Sequence, residues 1–333
     1  MSAIVLGGPT SSSAAGRGRA MPRRARMPAG SSLVDVMVGL LLGTLATGAA
    51  VTVFLTVRSA YAIAAEQREL EQRGAALLDA IAALLRHAGW HPDPTTALPP
   101  PLSGRDDCGQ PRLGGTLACD KPGVAGSDAL LIRFGGDHPA GDPALPDRYL
   151  TDCSGYPVPI AAAPVETRPA SAPPAADYLT ANLLYVADGA DGEPQLLCRY
   201  PGRGDGGNGG GSAGRTWSTG ALARGVETLQ LRYGIDRDGD GRVDAFLRAS
   251  ELAVAGPGAW CSVLAVQIAL VLRTGAGTAA APRPMLPLLP ARMAGEQGDD
   301  IVFRPRSRPN ASRRVFATTV WLRNAPFCAG SPC

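Results

Sequence analysis

The sequence contains very little lysine and histidine, and it lacks the cysteine spacing of a zinc site. Lys121 is the only lysine among 333 residues, while Ala, Gly, Pro and Arg are abundant, a bias typical of GC-rich genomes. The high Pro and Gly content is therefore a weak sign of disorder. No C-x-x-C motif occurs, and the three histidines, His87, His91 and His138, have no metal-ligand spacing. These absences argue against a zinc site.

Acidic side chains are absent from residues 1–30, a segment that contains five arginines. Without those five arginines the formal net charge of the chain changes from +3 to −2. The basic surplus is thus confined to the N-terminus, and we expect no nucleic-acid partner.

The seven cysteines are many for a cytosolic chain without metal-binding motifs, and they indicate an oxidising compartment. Because seven is odd, at most six of them pair within one chain. Sequence alone does not fix the connectivity. The candidate disulfide pairs are Cys108 with Cys119, which enclose a short Gly-rich loop, Cys153 with Cys198, and Cys328 with Cys333.

One uncharged and mostly apolar run extends from Val36 to Val57. Its 22 residues span about 33 Å as a helix, enough to cross a hydrocarbon core of roughly 30 Å. The arginines on its N-terminal side predict that residues 1–30 stay in the cytoplasm. A secretory signal peptide would have a shorter apolar region and a small-residue cleavage site, whereas an ordinary signal anchor fits the length.

Two details argue against an ordinary anchor. Asp35 stands at the cytoplasmic edge of the run, where a carboxylate is unfavourable unless it has a partner. The second detail is Gly30, which is followed by SSLVDVMVGLLLG. Within the run, Gly39 and Gly43 form a G-x-x-x-G pair, a spacing that lets helices approach closely in lipid, although glycine is common throughout this chain.

The apolar run and the charged stretch after it are predicted to form one helix from about Ser32 to Ala88. Its membrane half covers residues 33–57 and its amphipathic half residues 58–89. The apolar stripe of the second half predicts packing on a sheet of the same chain, or a short coiled coil. This stripe consists of Ile63, Leu70, Leu77 and Leu84.

Residues 91–333 are predicted to form a β-rich head with long loops rich in Pro, Ala or Gly. Period-two alternation, as in Leu229, Leu231 and Tyr233, indicates an antiparallel sheet with one buried face. The fold class is therefore α+β. The predicted strands are Ala129–Phe134, Tyr178–Val186, Gln195–Tyr200, Thr228–Ile235, Val243–Arg248, Ser262–Arg273 and Arg314–Arg323.

The segment DRDGDGRVD, at residues 236–244, has acidic side chains at alternate positions. Carboxylates at this spacing, followed by Gly, bind Ca²⁺ in EF-hand loops. Leu247, however, stands where an EF-hand has a bidentate Glu, and strands rather than helices flank the segment. A hairpin turn rich in Asp and Gly explains the same pattern, so both interpretations stay open. The candidate ligands are the side chains of Asp236, Asp238, Asp240 and Asp244 and the carbonyl of Arg242.

Two motifs of catalytic proteins occur in residues 202–214 without the strand and helix that each requires. One is G-x-S-x-G around Ser212, and the other is G-x-G-x-x-G beginning at Gly202. No catalytic pair of acids is identifiable either. We therefore expect that the chain is not an enzyme.

The N-terminus resembles the prepilins of type IV filaments. These have a short basic leader ending in Gly, then an apolar helix with an acid as the fifth residue after that Gly. Here Gly30 corresponds to the leader Gly, Ser31 to the new N-terminus and Asp35 to the acid. Two departures occur, since Ser31 replaces the usual Phe and Asp35 the usual Glu. Met21 is an alternative start that would give a shorter leader.

The C-terminal part resembles minor pilins of the PilW type and the related J-type pseudopilins of type II secretion. In those proteins a late strand ends in an Ala-Leu-Val-Arg-like run, and the last strand reads roughly Arg-Arg-Val-Phe-x-Thr-Thr-Val-x-Leu-Arg-Asn. This chain has IALVLRT at Ile268–Thr274 and RRVFATTVWLRN at Arg313–Asn324. The helix end LLRHAGW at Leu84–Trp90 and the hairpin Leu231–Phe246 are also similar.

The resemblance implies a pilin fold, with the long helix packed on an antiparallel sheet. It further implies cleavage after Gly30, methylation of the Ser31 amine, and a role as a minor pilin that primes or joins pilus assembly. The implied partners are other minor and major pilins, the prepilin peptidase, the inner-membrane assembly platform and the membrane itself. The head would lie in the periplasm, and later in the filament.

Two other functions stay open at this stage. The chain could be a minor pseudopilin of a type II secretion system, or a membrane-anchored periplasmic binding or adhesin module that never polymerises. Cleavage at Gly30 separates the last of these from the others, because a plain anchor keeps its N-terminus.

Overall fold

The computed structural model describes most of the helix and the strands of the head. The described residues are 30, 32–91, 98–113, 117–136, 149–158, 180–201, 217–274, 285–290 and 301–324. The leader before Gly30, Ser31, Cys328 and Cys333 therefore lie outside them, as do both motifs of residues 202–214. The chain forms two compact units, one ending at Ser59 and the other beginning at Ala60.

Helix α1 runs without interruption from Leu33 to His87, within one residue of its predicted limits. By length and composition it is the one helix among the described residues that could cross a membrane. Gly89 follows with φ 77°, a left-handed conformation that commonly ends helices. The Asn324 side-chain amide, from the far end of the chain, donates to the carbonyl oxygens of Arg86 and Ala88, both at 3.2 Å.

Among the described residues, thirteen strands and a short α-helix, α2 (Ala249–Ala255), follow α1. The strands are β1 (Leu102–Arg105), β2 (Pro111–Leu113), β3 (Leu117–Cys119), β4 (Ala129–Phe134), β5 (Thr180–Asp188), β6 (Pro194–Pro201), β7 (Trp217–Arg224), β8 (Val226–Ile235), β9 (Ala245–Leu247), β10 (Val263–Arg273), β11 (Leu286–Pro287), β12 (Val302–Phe303) and β13 (Arg313–Trp321).

These strands form two main antiparallel sheets rather than one. The first sheet has the order β1-β4-β5-β6-β7, and the second has the order β13-β10-β8-β9. Two small ribbons, β2 with β3 and β11 with β12, form separate two-stranded sheets that are not hydrogen-bonded to the strands of the main sheets. The predicted α+β class, with one long helix and antiparallel strands, is confirmed.

The amphipathic half of α1 shares one hydrophobic core with both sheets. Leu77, Ile81 and Leu85 of the helix belong to the same buried cluster as Leu184 of β5 and Ile268 of β10. This is the predicted packing of the apolar stripe on sheets of its own chain. Burial of that stripe begins at Leu70, whereas Ile63 remains 38% exposed.

The C-terminal strand β13 also contacts α1 directly. Gly74 of the helix faces the Phe316 ring so closely that a Cβ would not fit without movement of the ring. One turn away, Glu71 pairs with Arg314 at the surface. The last strand of the head therefore covers part of the first helix.

The prediction of a single buried face was wrong for the central strands of the second sheet. All ten residues of β8 are buried, and β10 is buried on both faces. Ala269 and Val271 of β10 pack against a second cluster that includes Ile301 and Phe303. The alternation within β10 did not predict that its second face is buried, because the residues that bury this face belong to the distant ribbon β11–β12.

Candidate functional site

The predicted assembly residues Asp35, Gly39 and Gly43 lie near the start of α1, while Gly30 precedes the helix and Ser31 is outside the described residues. Asp35 stands in the first turn of the helix, where its Oδ2 accepts a hydrogen bond of 3.1 Å from the Ser32 N–H. In return, the Ser32 Oγ accepts one of 3.3 Å from the Val34 N–H. The two side chains thus form a reciprocal cap that satisfies N–H groups left unpaired at a helix start. Cleavage after Gly30 stays a prediction.

The two glycines of the membrane half present an open surface. An added Cβ at Gly39 or Gly43 would meet no atom within 4 Å. Thr47, one turn further, donates its hydroxyl to the Gly43 carbonyl at 2.8 Å, so its polar group is satisfied inside the helix. The row formed by Gly39, Gly43 and Thr47 therefore has small side chains and no unsatisfied polar group, which suits close helix packing in lipid. That packing also stays a prediction.

The Asp-rich segment connects β8 to β9 and brings three of its four carboxylates together. Ligand oxygens of Asp236, Asp238 and Asp244 all lie within 4.8 Å of one another. Asp240 is not part of this group, and the Arg242 guanidinium instead stands 3.9 Å from the Asp240 carboxylate. The structure therefore reduces the predicted side-chain ligand set from four to three.

Backbone N–H groups already hold these carboxylates without a cation. Asp236 accepts from Gly239 at 2.7 Å and from Gly241 at 2.8 Å, and Asp244 accepts from the Arg237 N–H at 2.7 Å. The hydrogen bond from Gly241 is the main reason that the pKa of Asp236 lies below its usual value. Such bonds are typical of Asx turns, so the hairpin-turn interpretation explains the geometry as well as calcium does.

The cysteines of the described residues form disulfides, which agrees with the predicted oxidising compartment. Cys108 is joined to Cys119, and Cys153 to Cys198, the two pairs that the sequence suggested. The first bond ties the ribbon strand β3 to the segment after β1. The second anchors the segment 149–158 to β6 of the first sheet.

Cys261 is disulfide-bonded as well. Its partner is not among the four cysteines just described, and Cys328 and Cys333 lie outside the described residues. The predicted pair Cys328–Cys333 therefore stays a prediction. Peptide mapping under non-reducing conditions tests it.

A buried network of charged side chains joins the two sheets at one edge of the head. Arg273, the last residue of β10, donates to both carboxylate oxygens of Glu193, at 3.0 and 2.9 Å, and to Glu227 at 3.0 Å. Arg313, the first residue of β13, donates to the same Glu227 at 2.6 and 3.0 Å. The hydrogen bonds from Arg273 lower the pKa of Glu193 below its usual value.

This network gives a structural reason for the two C-terminal motifs. Arg273 is the next-to-last residue of IALVLRT and Arg313 begins RRVFATTVWLRN, and their side chains are only 2% and 5% exposed. Glu227 lies on β8 of the same sheet, whereas Glu193 precedes β6 of the other sheet. Sequence reasoning missed both glutamates, since they are 34 residues apart and belong to no shared motif.

A cavity of about 360 Å³ opens beside the second sheet. Its lining includes Asp106, Asp107 and Asp128, which come from the segments after β1 and before β4, and residues at the ribbon β11–β12. The sequence analysis did not identify this cavity, because its walls come from six separate stretches of the chain.

Asp128 is the most unusual group in the cavity, because its carboxyl is only 4% exposed. Its Oδ1 accepts from the Asp107 N–H at 3.2 Å and its Oδ2 from the Leu231 N–H at 2.9 Å. Burial, followed by repulsion from Asp106, raises the pKa of Asp128 to about 8. The Arg248 guanidinium acts in the opposite direction with a smaller effect.

Comparison with known proteins supports the resemblance stated from the sequence. Residues 183–324 match the family model described as PilW, Type IV Pilus-assembly protein W. Among solved structures, the type IV-like pilin TTHA1219 from Thermus thermophilus matches with 12% identity and a TM-score of 0.37, over 77% of this chain and 98% of that chain. No curated protein matches this chain at a significant level. The family match runs from β5 through β13 and includes both arginines of the buried network.

Proposed function

We propose, taking the match to a pilus-assembly family as the premise, that the chain is a minor pilin that primes or joins type IV pilus assembly. The observation that carries this proposal is the agreement of residues 183–324 with that family. The continuous helix α1 supports it, because a single apolar segment ahead of a β-rich head suits a subunit that moves from a membrane into a filament.

Each part of the chain has a role in this proposal. The basic leader holds the N-terminus in the cytoplasm, and α1 anchors the chain in the inner membrane with the head in the periplasm. The prepilin peptidase cuts between Gly30 and Ser31. The exposed membrane half of α1, including Gly39 and Gly43, then packs among the helices of other minor and major pilins on the assembly platform.

Asp35 changes its partner during assembly. Before assembly its carboxylate accepts the Ser32 N–H within the same helix. A neighbouring subunit would offer the positively charged amine of its own Ser31, and a charge-assisted bond is about twice as strong as a neutral one. Such a pair in an apolar setting sets the register between subunits more than it adds stability.

The test is the N-terminus of the protein extracted from cell membranes. Mass spectrometry should show a chain that begins at methylated Ser31. A Gly30→Glu variant, which places a charged side chain at the cleavage position, should keep its leader. An intact leader in the wild-type protein, in cells with an active peptidase, would contradict the proposal.

Isolation of filaments separates the remaining alternatives. A minor pilin should be recovered with sheared pili, whereas a pseudopilin should be required for protein secretion instead. A cleaved chain that is absent from pili and is not required for protein secretion would support a non-polymerising module.

A further inference from the structure

We propose that the outer edge of β13 is a docking site, at which an extended segment of another pilus subunit adds to the second sheet as a further strand. β13 is the last strand of the order β13-β10-β8-β9, so it has a neighbouring strand on one side only. The kind of partner rests on the proposed function, whereas the ability to accept a strand follows from the backbone geometry.

The hydrogen bonds at the two ends of β13 show which of its backbone groups are free. At one end the Thr274 N–H donates to the Ser312 carbonyl at 3.0 Å, and at the other the Leu322 N–H donates to the Leu264 carbonyl at 2.8 Å. The register between these bonds has no shift, and in an antiparallel pair hydrogen-bonded residues alternate with residues that face outwards. The even-numbered residues of β13 therefore bond to β10, and the odd-numbered residues direct their N–H and C=O groups to the open edge.

Four of the outward-facing residues form an accessible row, namely Val315, Ala317, Thr319 and Trp321. In the part of the chain that the structure describes, no hydrogen bond outside the β10–β13 ladder engages their backbone groups. Ala317 and Thr319 are exposed, and Trp321 is 55% exposed. An extended peptide laid along this row would form main-chain hydrogen bonds with it, which is how strand addition gives affinity.

A free edge is by itself an ordinary feature, and most proteins protect theirs. The outer strands at the three other ends of the two main sheets have such protection. Strand β1 has only four residues and β9 only three, while β7 has a bulge at Leu222 and contains Gly220. By contrast, β13 has nine residues, an unshifted register, no proline and no lysine. Its β-branched and aromatic side chains favour further strand pairing.

The direction of β13 argues against antiparallel pairing with a second copy of this chain. Near the start of the strand, Arg314 pairs with Glu71 of α1. Beyond its end, the Asn324 side chain donates to the Arg86 carbonyl, so β13 and α1 run in the same direction. Antiparallel pairing of two copies would therefore point their helices in opposite directions, whereas subunits anchored in one membrane with their heads on the same side point the same way.

The charge around the edge determines which partner fits. Residues 304–324 contain six arginines and no acid. Parallel pairing with a second copy would place Arg314 near its own counterpart, and like charges on adjacent strands are destabilising. Arg323, two residues after β13, is exposed and has no ion pair within the described ranges. The edge therefore fits a different subunit, with an acidic residue that reaches Arg323 and an apolar side chain that covers Trp321.

Hydrogen exchange of the full chain in detergent tests the geometry of the edge. With single-residue resolution, the N–H groups of Ala317 and Thr319 should exchange at least about tenfold faster than those of Phe316 and Thr318, because only the latter two bond to β10. Equal protection of the two sets would show that the edge is already covered, and would overturn the proposal.

A photo-crosslinking residue in place of Ala317 identifies the partner in cells, and substitutions of Thr319 show whether backbone pairing holds it. Thr319→Pro removes an N–H that faces the edge, a position where sheets tolerate proline, and should reduce the adduct at least about tenfold. Thr319→Val keeps this N–H and nearly the same shape, so the adduct should be unchanged. The melting temperature checks that Thr319→Pro is folded. If it is not, Thr319→Lys takes its place, because a lysine at the edge also opposes pairing.

The charge of the partner is tested at Arg323. Arg323→Glu should weaken the adduct, because it places an acid where the partner strand has one. Arg112→Glu is the control, since Arg112 is also an exposed arginine but belongs to the ribbon β2–β3, and it should leave the adduct unchanged. Equal effects of the two substitutions would contradict the proposed charge of the partner.

The identity of the adduct decides the proposal. An adduct with another pilus subunit that is lost in Thr319→Pro and kept in Thr319→Val supports it. An adduct with a second copy of this chain or with a protein outside the pilus, an adduct that persists in Thr319→Pro, or no adduct would overturn it. Sheared pili from the same cells separate the two proposals. A chain that enters pili without such an adduct contradicts the docking site alone, whereas a chain absent from pili contradicts the proposed function.

Discussion

At the scale of single residues, Asp128 makes the stability of the head depend on pH. Its pKa rises from 3.8 to about 8 on folding, so the folded chain binds an extra proton between these values. The contribution of this proton to the stability of the folded chain is fully present below pH 4, and it is lost as the pH rises through about 8. Asp106 raises and Arg248 lowers the pKa of the same carboxyl, and burial followed by the charge of Asp128 raises the pKa of Tyr233.

We therefore expect the wild-type chain to lose stability between pH 5 and pH 8, and Asp128→Asn to lose much less. Urea unfolding of the full chain in detergent at both pH values measures this. Asp191→Asn is the control, because the hydrogen bond from the Glu193 N–H lowers the pKa of Asp191, and its contribution is instead lost as the pH falls. Parallel pH profiles for wild type and Asp128→Asn would contradict the expectation.

The charge and the capping role of Asp35 can be separated by substitution. Asp35→Asn keeps an oxygen for the Ser32 N–H but loses the charge, whereas Ser32→Ala removes half of the cap, worth about 1 kcal/mol, and keeps the charge. We expect both variants to insert in the membrane and only Ser32→Ala to enter filaments. Normal piliation with Asp35→Asn would show that the cap, and not an ion pair, is what assembly needs.

At the scale of elements, the buried network holds β8, β10 and β13 of the second sheet together through Glu227 and reaches the first sheet through Glu193. Glu227→Gln removes the charge shared by Arg273 and Arg313, and we expect it to cost about 3–5 kcal/mol, as is typical when one partner of a buried ion pair is removed. Arg224→Ala breaks the exposed pair with Asp191 and should cost at most about 1 kcal/mol. Denaturant unfolding of both variants measures the difference. A small effect of Glu227→Gln would show that water reaches the network.

Regular patterns predicted seven of the thirteen strands in the described residues, whereas the sequence analysis missed β7, helix α2 and the short strands β1, β2, β3, β11 and β12. Strand β4 has its predicted limits, and β10 begins one residue later than predicted. Strand β7 was missed because its sequence, WSTGALAR, has no apolar alternation and follows a glycine-rich segment. The cavity and the network were not predictable either, since Asp128 and Glu227 obtain their partners from segments distant in sequence.

At the scale of the whole molecule, the disulfides determine how many thiols remain. Four cysteines form two bonds and Cys261 forms a third, so we expect one free thiol among the seven cysteines. Titration of the denatured, unreduced chain counts free thiols directly. Three or more would show that the third bond does not form in cells.

Calcium binding by the loop 236–244 stays a prediction that melting experiments can test. Without a twelfth-position carboxylate, the dissociation constant should be about 10⁻⁴–10⁻³ M, as in extracellular modules. Millimolar calcium should then raise the melting temperature of the chain by mass action. Asp238→Asn should abolish the rise, while Asp240→Asn, outside the three-carboxylate group, should largely keep it. No rise in the wild type would leave the hairpin turn as the explanation.

The contact between β13 and α1 has a consequence for biosynthesis. Phe316 and Asn324, which cover and cap the helix, leave the ribosome more than two hundred residues after α1, when the anchor has already been inserted. Until then, the surface of α1 at Gly74 lacks its Phe316 cover and β10 lacks its outer neighbour, a state prone to aggregation. The fold of the head is thus complete only when translation is complete, and we expect a nascent chain stalled before β13 to be a target for chaperones and proteases.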